Sequence, residues 1–153
     1  MTNDTSDSNA FDPLDLTSCT CANLRKASRA VTQVYDAAMQ PAGLKATQFT
    51  ILATLSALGE SPLSRLADAL VMDRTTLTRN LKPLVGKELV EIVSGNDQRV
   101  RMVRLTLSGR TLFKEARPLW RNAQTKFVAG LGQDALRDLI AGIAGTVSIA
   151  QGH

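Results

Sequence analysis

Between Asp73 and Glu88 the chain carries Arg74, Thr75, Thr76, Thr78, Arg79 and Lys82 with no carboxylate among them. At 3.6 residues per turn, Thr75, Thr78, Arg79 and Lys82 share one helix face, while Leu77, Leu81, Leu84 and Val85 share another. The first face offers hydroxyls, a guanidinium and an ammonium. These groups suit phosphate oxygens and base edges in a major groove. The plain alternative is a solvated outer face, but acids usually interrupt such faces. Asp73 is expected to cap this helix. Pro83 lacks the N–H that would bond the Arg79 carbonyl, which predicts a bend there.

A second basic group follows in Asn96-Asp97-Gln98-Arg99-Val100-Arg101, with Arg104 beyond it. Placed at a hairpin tip, an arginine can enter the minor groove, where the potential is most negative. Asp97 is expected to accept hydrogen bonds from the Arg99 guanidinium and hold it in place. A hairpin merely decorated with charge is the competing reading.

Cys19 and Cys21 are the only cysteines, too few for a disulfide framework. Residues two apart within a helix point to nearly opposite sides, which disfavours a disulfide between them. The only histidine is the terminal His153, so four zinc ligands cannot readily be assembled. Paired carboxylates, a glycine-rich phosphate loop and a Ser/His arrangement are all lacking. The chain reads as a non-enzyme with no cofactor and no metal.

The elements that position these residues follow from periodicity. Apolar residues Leu24, Ala27, Val31, Val34, Tyr35 and Ala38 mark a helix from about Thr17 to Met39, ended by Pro41 and Gly43. A second helix runs from Ala46 to Leu58. Ser61-Pro62 reads as an N-cap followed by the first position of a short helix bearing Leu63, Leu66, Ala67 and Leu70. After the Val71-Met72-Asp73 break comes the helix of Arg74 to about Lys87. Leu89–Val93 and Met102–Leu105 read as two strands joined through Ser94-Gly95-Asn96-Asp97. Thr106 caps a helix to about Gly130, with Pro118 inside it, and Gln133–Ala150 forms the last. The expected fold class is mainly α with a small β-hairpin wing, a winged helix-turn-helix.

The 153 residues suit a single domain, and only 4% are aromatic, which fits a helical core of Leu, Val, Ile and Ala. Residues 1–16 read as a flexible acidic arm and 17–153 as one domain. The winged helix spans about 46–106, with dimerisation helices at about 17–40 and 107–151. The net charge of +4 conceals an asymmetry. Asp4, Asp7, Asp12 and Asp15 lie in the arm, leaving 18 basic against 10 acidic side chains on the remainder. That balance suits a polyanionic partner. No apolar run is long enough to span a bilayer and no secretory signal is legible, so no membrane and a cytoplasmic setting are expected. Leu136, Leu139, Ile140, Ile143, Val147 and Ala150 form an apolar stripe along the last helix. A small monomer cannot easily cover it, which points to a homodimer.

Asp97-Gln98-Arg99, then Leu105-Thr106-Leu107-Ser108-Gly109, together with the 73–79 segment and Gly43-Leu44 to Gln48-Phe49, resembles the MarR family of regulators. The likeness covers about residues 17–150. It implies an intertwined helical dimer that binds double-stranded DNA at a pseudo-palindromic operator. It also implies transcription regulation, usually as a repressor, relieved by a small phenolic or lipophilic effector. Tyr35, Phe49 and Trp120 are candidates to line the effector cleft, and each is equally a core candidate. Two departures stand out. Lys45 occupies a position where a Thr cap is usual, and Gly86-Lys87-Glu88-Leu89 lacks the usual Gly just before the strand.

The intervals from Cys21 to Arg29, Tyr35 and Gln48 resemble the organic-hydroperoxide-sensing branch of that family. By that likeness Cys21 is a ligand or redox candidate, with Cys19 beside it and Tyr35 as its hydrogen-bond partner from the other subunit. The branch also has a Tyr where this chain has Arg25. A cysteine packed at the head of a helix remains the alternative. Two rival functions stay open: a winged-helix module that binds proteins and not DNA, and a thiol-based redox sensor or thiol enzyme, such as a peroxidase, using Cys21.

Overall fold

The computed structural model describes residues 17–152. The proposed acidic arm, 1–16, lies outside them. The described residues fall into two compact units, with the boundary between Val34 and Tyr35.

The first unit carries most of helix α1 (Thr20–Met39). Its start is tied by Asn23, whose side-chain amide donates to the carbonyls of Thr17 and Cys19 at 2.7 and 2.9 Å. The helix begins three residues later than its periodicity predicts, so Cys19 precedes it and Cys21 sits in its first turn. The objection to a Cys19–Cys21 bridge, which placed both thiols inside a helix, therefore does not apply to this backbone. Both thiols are free.

The second unit holds the core. Pro41 and a left-handed Gly43 (φ 65°) close a 3-10 turn after α1. Helix α2 (Ala46–Leu58) is apolar on most sides and buries Phe49, Ile51, Leu52 and Leu55. Lys45 cannot accept a hydrogen bond from the helix start, and Asp36 takes over that task. Its carboxylate accepts the Ala46 N–H at 2.7 Å and pairs with Lys45 Nζ at 3.5 Å, while Gln48 accepts the Lys45 N–H.

Ser61-Pro62 does not start a helix as expected. It forms a two-residue strand, β1 (Ser61–Pro62), and Pro62 itself occupies the cap position of α3 (Leu63–Leu70) without a side-chain bond. The hairpin strands β2 (Val90–Ser94) and β3 (Arg101–Leu105) are therefore part of a three-stranded antiparallel sheet of order β1-β3-β2. Ser61 opposes Val103, and Glu91 opposes Arg104. Ser61 is fully buried beneath the sheet edge.

Helix α4 (Arg74–Gly86) buries Leu77, Leu81 and Leu84 and continues through Pro83. Each of these leucines contributes about 2 kcal/mol of apolar burial. The chain leaves α4 through Glu88, held at φ 55° in the left-handed region that glycine tolerates best.

Helix α5 (Leu107–Leu131) runs unbroken through Pro118, and α6 (Gln133–Ala150) follows. Thr106 locks the start of α5 to the end of the α4 loop. Its hydroxyl donates to the Glu88 carbonyl at 2.6 Å and accepts the Gly109 N–H at 2.9 Å. A Cβ on Gly109 would lie 1.9 Å from the Leu89 carbonyl oxygen, so only glycine allows this approach. The Leu-Thr-x-x-Gly pattern is thus a structural lock at the base of the wing. Among the described residues, no helix is long and apolar enough to cross a membrane.

Candidate nucleic-acid interface

The helix-turn-helix consists of α3, the Val71–Asp73 turn and α4. Val71 takes the left-handed conformation (φ 52°) at the end of α3, and Asp73 begins α4 as expected. One carboxylate oxygen of Asp73 accepts the Thr76 N–H at 2.8 Å, and the other accepts the Thr76 hydroxyl at 2.6 Å. The Thr76 hydroxyl bond, followed by the backbone bond, holds the Asp73 carboxyl below the usual range. Thr76, expected among the DNA-binding residues, is therefore engaged in the cap.

Arg74, Thr75, Thr78, Arg79 and Lys82 are all exposed. The sheet brings the second basic group to the same place. Arg74 and Thr78 of α4 share a cleft of about 370 Å³ with Arg99, Val100 and Arg101 of the wing, floored by Pro62 and Ile92. A shallower hollow follows α4 along Thr75, Arg79 and Lys82. None of these cations has an acidic partner among the described residues. The two motifs, separate in sequence, form one continuous surface.

At the wing tip, Asp97 does not hold the Arg99 guanidinium. Its carboxylate accepts the Arg99 backbone N–H at 2.9 Å, and its carbonyl accepts the Val100 N–H at 2.9 Å. The aspartate shapes the turn in the manner of an Asx motif, because that N–H lies two residues on and needs a partner. The Arg99 side chain has no acidic partner among the described residues. Arg104, read from the sequence as part of the basic wing, is paired instead. It donates to Glu91 at 2.7 Å and to Glu60 at 3.0 Å, and the Glu91 bond leads in holding its guanidinium above its ordinary pKa.

Cys21 is exposed and Cys19 partly covered. Tyr35 is engaged inside its own chain: its hydroxyl donates to Gln124, its ring stacks on Phe127 with centroids 5.6 Å apart, and burial raises its pKa. Phe49 and Trp120 do share a cleft, of about 320 Å³, with Thr50, Thr54, Phe113 and Arg117. Phe49 stacks on Trp120 and tilts against Phe113. Tyr35 is not in that wall.

Sequence reasoning missed Asp36, Glu60, Glu91 and Arg117. Opposition of Glu91 and Arg104 follows once the hairpin register is fixed. Asp36 and Glu60 reach partners that no local pattern announces.

Comparison with known proteins agrees with this geometry. Residues 44–100 match the model of the MarR family. The Mycobacterium tuberculosis transcriptional regulator MosR, solved in complex with DNA, is 38% identical with a TM-score of 0.76, over 86% of this chain and 98% of MosR. A mutant MarR from Escherichia coli complexed with operator DNA has 22% identity and a TM-score of 0.74, covering 81% and 90%. Bordetella bronchiseptica BpsR, in a structure addressing regulation of its DNA binding by 6-hydroxynicotinic acid, has 22% identity and a TM-score of 0.73, covering 82% and 96%. No curated protein matches the chain. A capped recognition-type helix, a three-stranded wing and 38% identity to MosR over 86% of the chain place this chain in the MarR family of winged-helix transcriptional regulators.

Proposed function

We propose that the chain is a cytoplasmic, homodimeric repressor that binds a pseudo-palindromic operator, one winged helix to each half-site. The observation that carries this reading is the acid-free surface shared by α4 and the wing. Arg74, Thr75, Thr78, Arg79 and Lys82 suit the major groove and its phosphates, and Arg99 and Arg101 suit the flanking minor groove and backbone. Thr76 and Asp97 act by fixing the helix start and the turn. The DNA-bound MosR supports the same reading. The α6 stripe supports the dimer: that helix buries no residue in a single chain, and Leu139, Ile140 and Ile143 stand open. Residues 17–153 act in this reading as one domain of the assembled dimer, with no enzymatic step.

The release signal fits the Phe49–Trp120 cleft, whose aromatic walls suit a small planar phenolic or lipophilic effector. Regulation of BpsR by 6-hydroxynicotinic acid, a small planar aromatic, supports an effector of that kind. Exposure of Cys21 favours a second signal, oxidation of its thiol as in the hydroperoxide-sensing branch.

A gel shift with the duplex upstream of its own gene tests the main reading. Arg79→Ala and Arg99→Ala should each weaken the complex, and unchanged binding by both contradicts the interface. Equal release of wild type and Cys21→Ser by an organic hydroperoxide eliminates the thiol signal.

A further inference from the structure

We propose that Arg104 is a positioning residue: with Glu60 and Glu91 it forms a clamp that fixes the wing to the entry of the helix-turn-helix. The inference rests on the DNA reading of the α4–wing surface. It concerns a cation that lies outside the shared basic cleft.

Three observations converge on it. First, one guanidinium ties together the surroundings of all three strands. Arg104 lies on β3, Glu91 opposes it on β2, and Glu60 immediately precedes β1. Nε binds Glu91 at 2.7 Å while Nη1 binds Glu60 at 3.0 Å, a geometry that needs the planar fork of arginine. Second, the ladder that the clamp reinforces is short. β1 has two residues, and one of them, Pro62, has no N–H to donate. Third, β1 is the joint between the wing and α3, which begins at the next residue, Leu63. Slack at β1 would let Arg99 and Arg101 drift relative to Arg74 and Thr78 across the cleft they share. A two-stranded hairpin alone is marginally stable, so its pose depends on such anchors.

The three side chains are each between 42% and 45% exposed, so the clamp is a modest, solvent-screened device. Its predicted sign is what distinguishes it. Removing two carboxylates from a DNA-binding domain should tighten binding if only charge matters. The clamp predicts the reverse.

The test compares wild type, Glu60→Gln/Glu91→Gln and Arg104→Lys, all checked for an intact thermal transition. Amide hydrogen exchange is read in the free protein, and affinity is read on the duplex from its own upstream region. In both variants, exchange at Glu60, Ser61 and 101–105 should rise and affinity should fall about fivefold. The lysine variant keeps the charge, so an intact affinity there means Arg104 serves as a simple cation and overturns the proposal. Tighter binding by the double variant, or unchanged exchange in it, overturns it equally. If wild type binds no duplex, the interface reading fails and takes the functional half of the proposal with it. The exchange result then decides the clamp by itself.

Discussion

The winged segment and the last helix make opposite use of their apolar residues. From α2 through β3 most leucines and isoleucines turn inward, Ile51, Leu52, Leu66, Leu77, Leu84 and Val103 are completely covered, and Val71, Val85 and Val100 are the exposed exceptions. Helix α6 has a comparable supply, yet Leu139 is 49% exposed and Ile140 55%. The difference is one of task. The winged segment must hold cations rigidly against a partner, so it completes its own core. The last helix buries no residue within one chain, and in the proposed dimer its uncovered stripe is the surface for a second copy.

Mutations can break that contrast. The largest effect is expected from Leu77→Ala, which should destabilise the fold by about 2–5 kcal/mol, measured by denaturant unfolding. A loss well below that range would mean the winged core is looser than its burial implies. Ile143→Asp should instead act on assembly. Sedimentation should show a monomer, and the thermal midpoint should stop depending on protein concentration, as it does for linked folding and association. A dimer that survives this change would give the stripe another role.

Smaller effects sharpen the account of how the winged segment is held. Glu88→Gly should raise stability by about 1 kcal/mol, because glycine occupies φ 55° without the penalty of a Cβ. No gain in melting temperature would indicate that Glu88 makes a compensating contribution. Asp73→Ala should cost least, and only above acid pH. The folded-state pKa of Asp73 is lowered, so its contribution is full above the ordinary carboxylate value and disappears as pH falls through the lowered one. Stability curves of wild type and variant should therefore converge in acid; a constant gap would show that the cap acts without its charge.

Much of this was legible in the sequence, and the exceptions share a cause. The acid-free row on α4, the Asp73 and Thr106 caps and the hairpin all rest on contacts within a few residues, which periodicity and cap chemistry report. Ser61-Pro62 misleads because a helix N-cap followed by proline and an edge strand look alike locally. The partner that decides between them, β3, lies far along the chain. Asp97 misleads in a similar way, since its carboxylate reached a backbone N–H in place of the side chain beside it. Arg104 counted as a free cation until the register set Glu91 opposite and Glu60 within reach. The departures at Lys45 and Glu88 are met by a carboxylate ten residues upstream of Ala46 and by an accepted left-handed backbone, neither of which has a sequence signature.

The central claim is that the cations of α4 and the wing, which have no acidic partner among the described residues, engage phosphates of a duplex. Fluorescence anisotropy of wild type and Arg79→Ala/Arg99→Ala on the upstream duplex, titrated across a range of salt, tests it most directly. Wild-type affinity should fall steeply with salt, and the variant's logarithmic slope should be shallower by about 0.9 for each phosphate contact removed. Equal affinity and equal slope for the two proteins would contradict the account.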